Sequence, residues 1–231
     1  MSSIQARAAQ RRITRLCHFT PSRNLAHIAS DSRGILSSQH LQEDESAILN
    51  PTDKARLDGY PDHVCCSIQY PNAWYFRKAR AQETLFPDWV VLLIDARHLW
   101  QRGTKFCPRN AAAEHGRLVR GGIAGFDALF DDVVEGFRTY RRGSRHPVSL
   151  PTDEQAEVLI PDRIGRSDIR GVVVRDGTQA AREASRLELA GLTVPRIVIA
   201  PEFFDPAELS HKLRNGLLPS EREYERGGAN A

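Results

Sequence analysis

The chain has 231 residues, 41% of them hydrophobic and 26% charged, with a net charge of +3. That is the balance of a soluble globular protein long enough to bury a core. No run of about 18 apolar residues is present, which excludes a transmembrane helix. The basic start, MSSIQARAAQRR, has no apolar stretch behind it and argues against a secretory signal. Four cysteines, Cys17, Cys65, Cys66 and Cys107, lack C-x-x-C spacing and zinc-site His partners. Free thiols in a reducing cytoplasm, and no metal, are the expectation.

In chain order, residues 1–12 read as a flexible basic arm. Leu16 to Thr20 fits a short strand, and Pro21-Ser22 opens a helix whose Leu25, Ile28 and Ala29 share one face. Gly34 closes it. Residues 37–62, polar and broken by Pro51, Gly59 and Pro61, read as a long loop holding a short helix. Loops of that length in a compact domain are usually functional or disordered. Val64 to Ile68 is a strand with Cys65 and Cys66 on opposite faces, and Asn72 to Phe76 reads as its continuation past Pro71.

Trp89 to Ile94 is the clearest strand, and Thr104 to Cys107 a short one. Residues 108–152, rich in glycine with an amphipathic piece at Phe126 to Phe130, read as a second long, mobile connection. Then come a strand at Ala156 to Ile160, a strand at Ile169 to Val174, a helix from Asp176 closed by Gly191, and a strand at Pro195 to Ala200. Residues 219–231 read as a frayed tail. The pattern predicts an α+β single domain around a mixed, mainly antiparallel sheet.

The strand-helix-strand unit at 169–200 lacks a glycine cradle, since its turn is Arg175-Asp176-Gly177, so a Rossmann site is excluded. Two features carry chemistry. Glu157 is a lone acid between Ala156 and Val158 in an apolar strand, where alternation leaves it either solvent or a cleft. Arg138, Arg141 and Arg142 surround Tyr140, a composition that suits a phosphate backbone with stacked bases, or else a solvated loop.

His18-Phe19-Thr20 followed by Asn24-Leu25, taken with Gln155-Ala156-Glu157, resembles the two ends of an ADP-ribosyltransferase site. The family resembled is the DarT-type toxins, which attach ADP-ribose from NAD to bases in single-stranded DNA. The likeness spans roughly residues 13–200. It departs in the middle: the family's Cys-Pro-Arg-Ser segment is absent from Ser67 to Tyr75, while Cys107-Pro108-Arg109-Asn110 occurs later. That departure keeps guanine beside thymine as the acceptor base.

The resemblance implies an ADP-ribosyltransferase-like domain over 13–218, NAD as co-substrate, single-stranded DNA as acceptor and a macrodomain antitoxin as partner. It gives Glu157 and Arg56 catalytic roles and assigns NAD contacts to His18, Thr20 and Asn24. Tyr70, Tyr75 and Phe76, aromatics in the predicted sheet, are the candidates to stack on nicotinamide, with Tyr75 taken as the site residue. Breaking the ribose–nicotinamide bond builds positive charge on the sugar. A carboxylate there stabilises that charge and can take a proton from the attacking nitrogen. A guanidinium such as Arg56 forks onto two phosphate oxygens.

Two rivals are the same chemistry on RNA or protein, and a non-enzymatic arginine-rich nucleic-acid-binding module with a structural Glu157. Convergence of His18 and Glu157 on one pocket favours an enzyme; opposite sides of the sheet would favour the binder.

Overall fold

The computed structural model describes residues 3–43, 56–83, 86–136 and 138–225. Residues 44–55 of the predicted long loop and 226–231 of the predicted tail lie outside them. The elements in order are α1 (Ile4–Gln10), β1 (Arg15–Pro21), α2 (Leu25–Ser30), β2 (Ile35–Leu36), α3 (Ser38–Glu43), β3 (His63–Ile68) and α4 (Ala73–Gln82). They continue with β4 (Trp89–Asp95), β5 (Lys105–Cys107), β6 (Arg120–Gly121), α5 (Gly122–Ala128), β7 (Val133–Val134), β8 (Tyr140–Arg141) and β9 (Glu157–Pro161). The last are β10 (Arg163–Ile164), β11 (Ile169–Val174), α6 (Gly177–Leu189), β12 (Ile197–Ile199), α7 (Pro206–Arg214) and β13 (Arg222–Glu223).

Nine strands form one sheet in the order β13-β12-β11-β4-β1-β3-β9-β5-β6. Every neighbouring pair is antiparallel except β11 with β12, as the mixed, mainly antiparallel reading expected. The apolar run of β4 explains the layering. Val90, Leu92 and Ile94 enter one core while Trp89, Val91 and Leu93 enter the other. A strand buried on both faces needs apolar residues at every position.

The sheet is nearly divided in its middle. β1 pairs with β4 over seven residues, Arg15 to Pro21, yet with β3 only at Leu16↔Ile68 and Cys17↔Ser67. Beyond Cys17, β3 turns its ladder to β9, from His63↔Pro161 to Cys66↔Val158. The gap between the two halves is where the candidate site lies.

Four expectations are corrected. Residues 4–10 are helix, not a flexible arm: Ser3 caps the N-terminus by accepting from the Ala6 N–H, and Ala8 is buried in the core. Arg7 pairs with Asp127 at 2.9 Å, and Arg11 lies 3.9 Å from the Phe130 ring centroid. The alanine-rich stretch Ile4–Gln10 has high helix propensity, which basic composition masks.

Asn72 to Phe76 does not extend the sheet. Asn72 caps α4, its Oδ1 accepting from the Tyr75 N–H at 3.1 Å, and Ala73, Phe76 and Ala79 form the buried face. Residues 108–152 hold α5 and the β7–β8 hairpin, and bury Phe126, Leu129 and Phe130. In the tail, Arg222–Glu223 pairs with β12, and Tyr224 packs on the core. No helix among the described residues is long and apolar enough to cross a membrane.

Candidate active site

The split between β1 and β3 opens a cleft with about 120 Å³ accessible to water. His18, Thr20, Asn24, Arg56, Tyr75 and Glu157 all line it. Six residues chosen from the sequence, up to 139 positions apart (18 to 157), thus meet in one space.

His18 follows the last β1–β3 pair, so its ring crosses the gap that the ladder leaves. Nδ1 lies 2.8 Å from the Cys65 carbonyl oxygen. A carbonyl can only accept, so Nδ1 carries the proton and Nε2 of the neutral ring is an acceptor. Burial lowers the His18 pKa, with the Cys65 bond opposing it. On the next turn of chain, Asn24 Nδ2 donates to Thr20 Oγ1 at 2.9 Å, both residues buried. The Thr20 hydroxyl proton and the Asn24 carbonyl oxygen are then the groups left to meet a ligand.

Glu157 begins β9 and is 7% exposed. Its two oxygens are held separately: Asn110 Nδ2 donates to Oε1 at 3.0 Å and the Ala111 N–H donates to Oε2 at 3.2 Å. Asn110 is itself fixed, its Oδ1 accepting from the Ala112 N–H at 3.1 Å. Two donors on a carboxylate favour its charged form. The Cys107-Pro108-Arg109-Asn110 run was visible in the sequence, but only the β5–β9 pairing, Cys107↔Glu157, reveals that it reaches the acid.

Arg56 lines the cleft without being poised to fork onto a pyrophosphate. Nε and Nη2 donate to the two Asp58 oxygens at 3.1 and 2.8 Å. Nη1 donates to Ser38 Oγ at 3.0 Å and to the His63 carbonyl at 2.6 Å, and Nη2 donates also to the Tyr60 carbonyl. All five N–H groups are engaged, so the residue braces the cleft floor and contributes its charge. Tyr75 also lines the cleft, against Phe19 with ring centroids 6.0 Å apart. The wall thiols are poor nucleophiles, because burial raises Cys65 and Cys66 well above the ordinary thiol range and Cys17 to about 12.

The arginine cluster divides. Arg138 and Arg141 are exposed. Arg142 is corrected: its guanidinium donates to the Leu150 and Pro147 carbonyls at 2.9 and 2.8 Å and to Thr152 Oγ1 at 3.0 Å. It staples the turn before β9 and has little left for a phosphate. Among the described residues no three His, Cys, Asp or Glu side chains gather as a metal site.

Residues 17–205 match the family described as DarT, the ssDNA thymidine ADP-ribosyltransferases. The chain belongs to the DarT family. Among curated proteins no match is found.

Solved structures carry the same fold. Thermosipho africanus DarTG in complex with ADP-ribose superposes with a TM-score of 0.58 at 13% identity, covering 83% of this chain and 51% of that one. The chain therefore spans about half the length of that relative. Thermus sp. 2.9 DarT in complex with NAD+ gives 0.53 at 14% identity, covering 83% of this chain and 97% of its own. The same Thermus protein in complex with ADP-ribosylated ssDNA gives 0.53 at 14%, covering 84% and 97%.

Proposed function

We propose that the cleft binds NAD and transfers its ADP-ribose to a base of single-stranded DNA. The convergence of His18, Thr20, Asn24 and Glu157 on the split of a DarT-family sheet carries this reading. It is the outcome that separates an enzyme from a binding module. The family's description names thymidine, which favours thymine over guanine as the acceptor.

The geometry supports the following roles. His18 Nε2 accepts from a ribose hydroxyl, and Thr20 with Asn24 supplies a donor and an acceptor beside it. Tyr75 offers a ring face to nicotinamide. Glu157, aligned by Asn110 and Ala111, faces the positive charge that develops on the sugar as nicotinamide leaves, and accepts the proton of the attacking base nitrogen. The protonated thiols around it do not compete as acceptors. The Arg56–Asp58 pair fixes the floor.

In this reading the protein is a cytoplasmic toxin, restrained by a macrodomain antitoxin that removes the modification. The neighbour named DarTG supports the toxin–antitoxin pairing.

The test is incubation with adenylate-labelled NAD and five acceptors: thymine-containing single-stranded DNA, the same strand without thymine, duplex DNA, RNA and bulk protein. Label is expected on the first alone. Label on RNA or protein with none on DNA would overturn the acceptor assignment, and no label anywhere would overturn the enzymatic one.

A further inference from the structure

A chain of stacked rings and cations leads away from the cleft. Trp74 precedes the cleft residue Tyr75 on α4, and Arg77 lies with its guanidinium carbon 4.8 Å from the Trp74 ring centroid. Trp74, Arg77 and Lys78 fall at i, i+3 and i+4, one face of the helix, opposite the buried Ala73, Phe76 and Ala79. Trp74 Nε1 donates to Glu154 Oε2 at 3.3 Å, and Glu154 Oε1 accepts from Arg214 Nε at 2.6 Å. The Arg214 guanidinium in turn lies 5.4 Å from the Tyr140 ring centroid in the β7–β8 hairpin. One carboxylate, three residues before Glu157, therefore ties two cation–ring stacks into a single strip.

We propose that this strip, from Arg77 and Trp74 through Arg214 to Tyr140, is the track for the single strand that flanks the acceptor base. It deepens the transfer reading above and rests on it for the identity of the ligand. Charge and shape both argue for it. Glu154 is neutralised by Arg214, whereas the exposed Arg77, Lys78 and Arg141 have no carboxylate partner among the described residues. Their charges are available to phosphates.

Planar guanidinium and aromatic faces take the splayed bases of a single strand, which a duplex keeps stacked inside. Continuity with the cleft comes at both ends of the Trp74–Glu154 bond, through Tyr75 on one side and the start of β9 on the other. The sequence had grouped Tyr140 with Arg142, but Arg142 is turned inward and the working partner is Arg214, seventy-four residues on.

The experiment measures binding of a fluorescent thymine-containing 12-mer across salt concentrations, for the parent and two variants. The triple variant Arg77→Gln/Lys78→Gln/Arg141→Gln changes only exposed side chains. It should bind the strand at least about tenfold more weakly at low salt and flatten the salt slope by roughly 2, at about 0.7 per lost phosphate contact. Its melting temperature and NAD affinity should match the parent. Tyr140→Leu keeps the apolar bulk and removes the planar face, so it should weaken strand binding with the slope unchanged.

Equal affinity and parallel salt curves in the triple variant would overturn the track, as would a parent with no affinity for the strand. Equal weakening toward a duplex of the same length would make the strip a generic basic patch and overturn the single-strand assignment. Unchanged strand binding with lost capture of an acidic protein would assign the face to a protein instead. A parent that loses the strand in these variants yet transfers nothing to it refutes the enzymatic reading and leaves the track standing.

Discussion

Replacing Glu157 by Gln is usually taken as a silent way to remove a charge, but here the surroundings make it costly. Both oxygens accept from fixed donors, Asn110 Nδ2 at 3.0 Å and the Ala111 N–H at 3.2 Å. A Gln amide satisfies one and turns its own NH₂ on the other. Asn110 cannot flip to help without breaking the 3.1 Å bond its Oδ1 makes to the Ala112 N–H. One buried donor is left unpaired, at a cost of about 1–3 kcal/mol. For a domain of this size each kcal/mol lowers the melting temperature by roughly 2–4 °C. Transfer should fall by about 10²–10³, the scale of about 2.7–4 kcal/mol for one lost electrostatic stabiliser. The assay pairs single-turnover transfer from labelled NAD with a thermal melt in the same buffer. Near-parental transfer refutes the catalytic role, and an unchanged melt refutes the claim that both oxygens are held.

Asn110→Ala removes one of those donors and should lower kcat by about 10–100-fold while leaving the KM for NAD within roughly twofold, since a hydrogen bond to a charged group is worth about 1.5–3 kcal/mol; Asn110→Asp, which sets a second carboxylate beside Glu157, should be worse than Ala, and the reverse order would count against positioning. Deleting residues 1–11 removes the buried Ala8, the Arg7–Asp127 pair and the Arg11–Phe130 stack, so a cooperative melt should shift down by several degrees, and an unshifted melt would restore the picture of a free arm. Burial raises Asp153 to about 6, against the Gln155 N–H bond that favours its charge. The folded state therefore holds more protons than the unfolded between about pH 4 and 6, and stability falls as pH rises through that window. Asp153→Asn keeps the acceptor for Gln155 and stays neutral, so it should exceed the parent by up to about 2–3 kcal/mol at pH 8 and by nothing near pH 4; a pH-independent difference in urea unfolding would contradict this.

What could be read from the sequence was local or chemical. The apolar run of β4 has only one way to satisfy six side chains, burial on both faces, and the cap-to-glycine span of α6 marks its own ends at Asp176 and Gly191. His18, Thr20 and Asn24 share a strand-to-helix turn, so their proximity needed no tertiary information, and a lone acid in an apolar strand marked Glu157.

The remainder depended on contacts between distant segments. Helix propensity placed α1 against the core only because Asp127 and Phe130 are there to receive Arg7 and Arg11. Aromatics read as sheet in Asn72 to Phe76 became helix because Asn72 caps it and Phe76 finds Trp89 and Phe204. Arg141 and Arg142 are adjacent and alike in sequence, yet one points to solvent and the other staples a turn through carbonyls at 147 and 150. Hydrogen-bond partners across 46 or 47 residues, such as Asn110 and Ala111 on Glu157, are set by strand register, and register is a property of the assembled sheet.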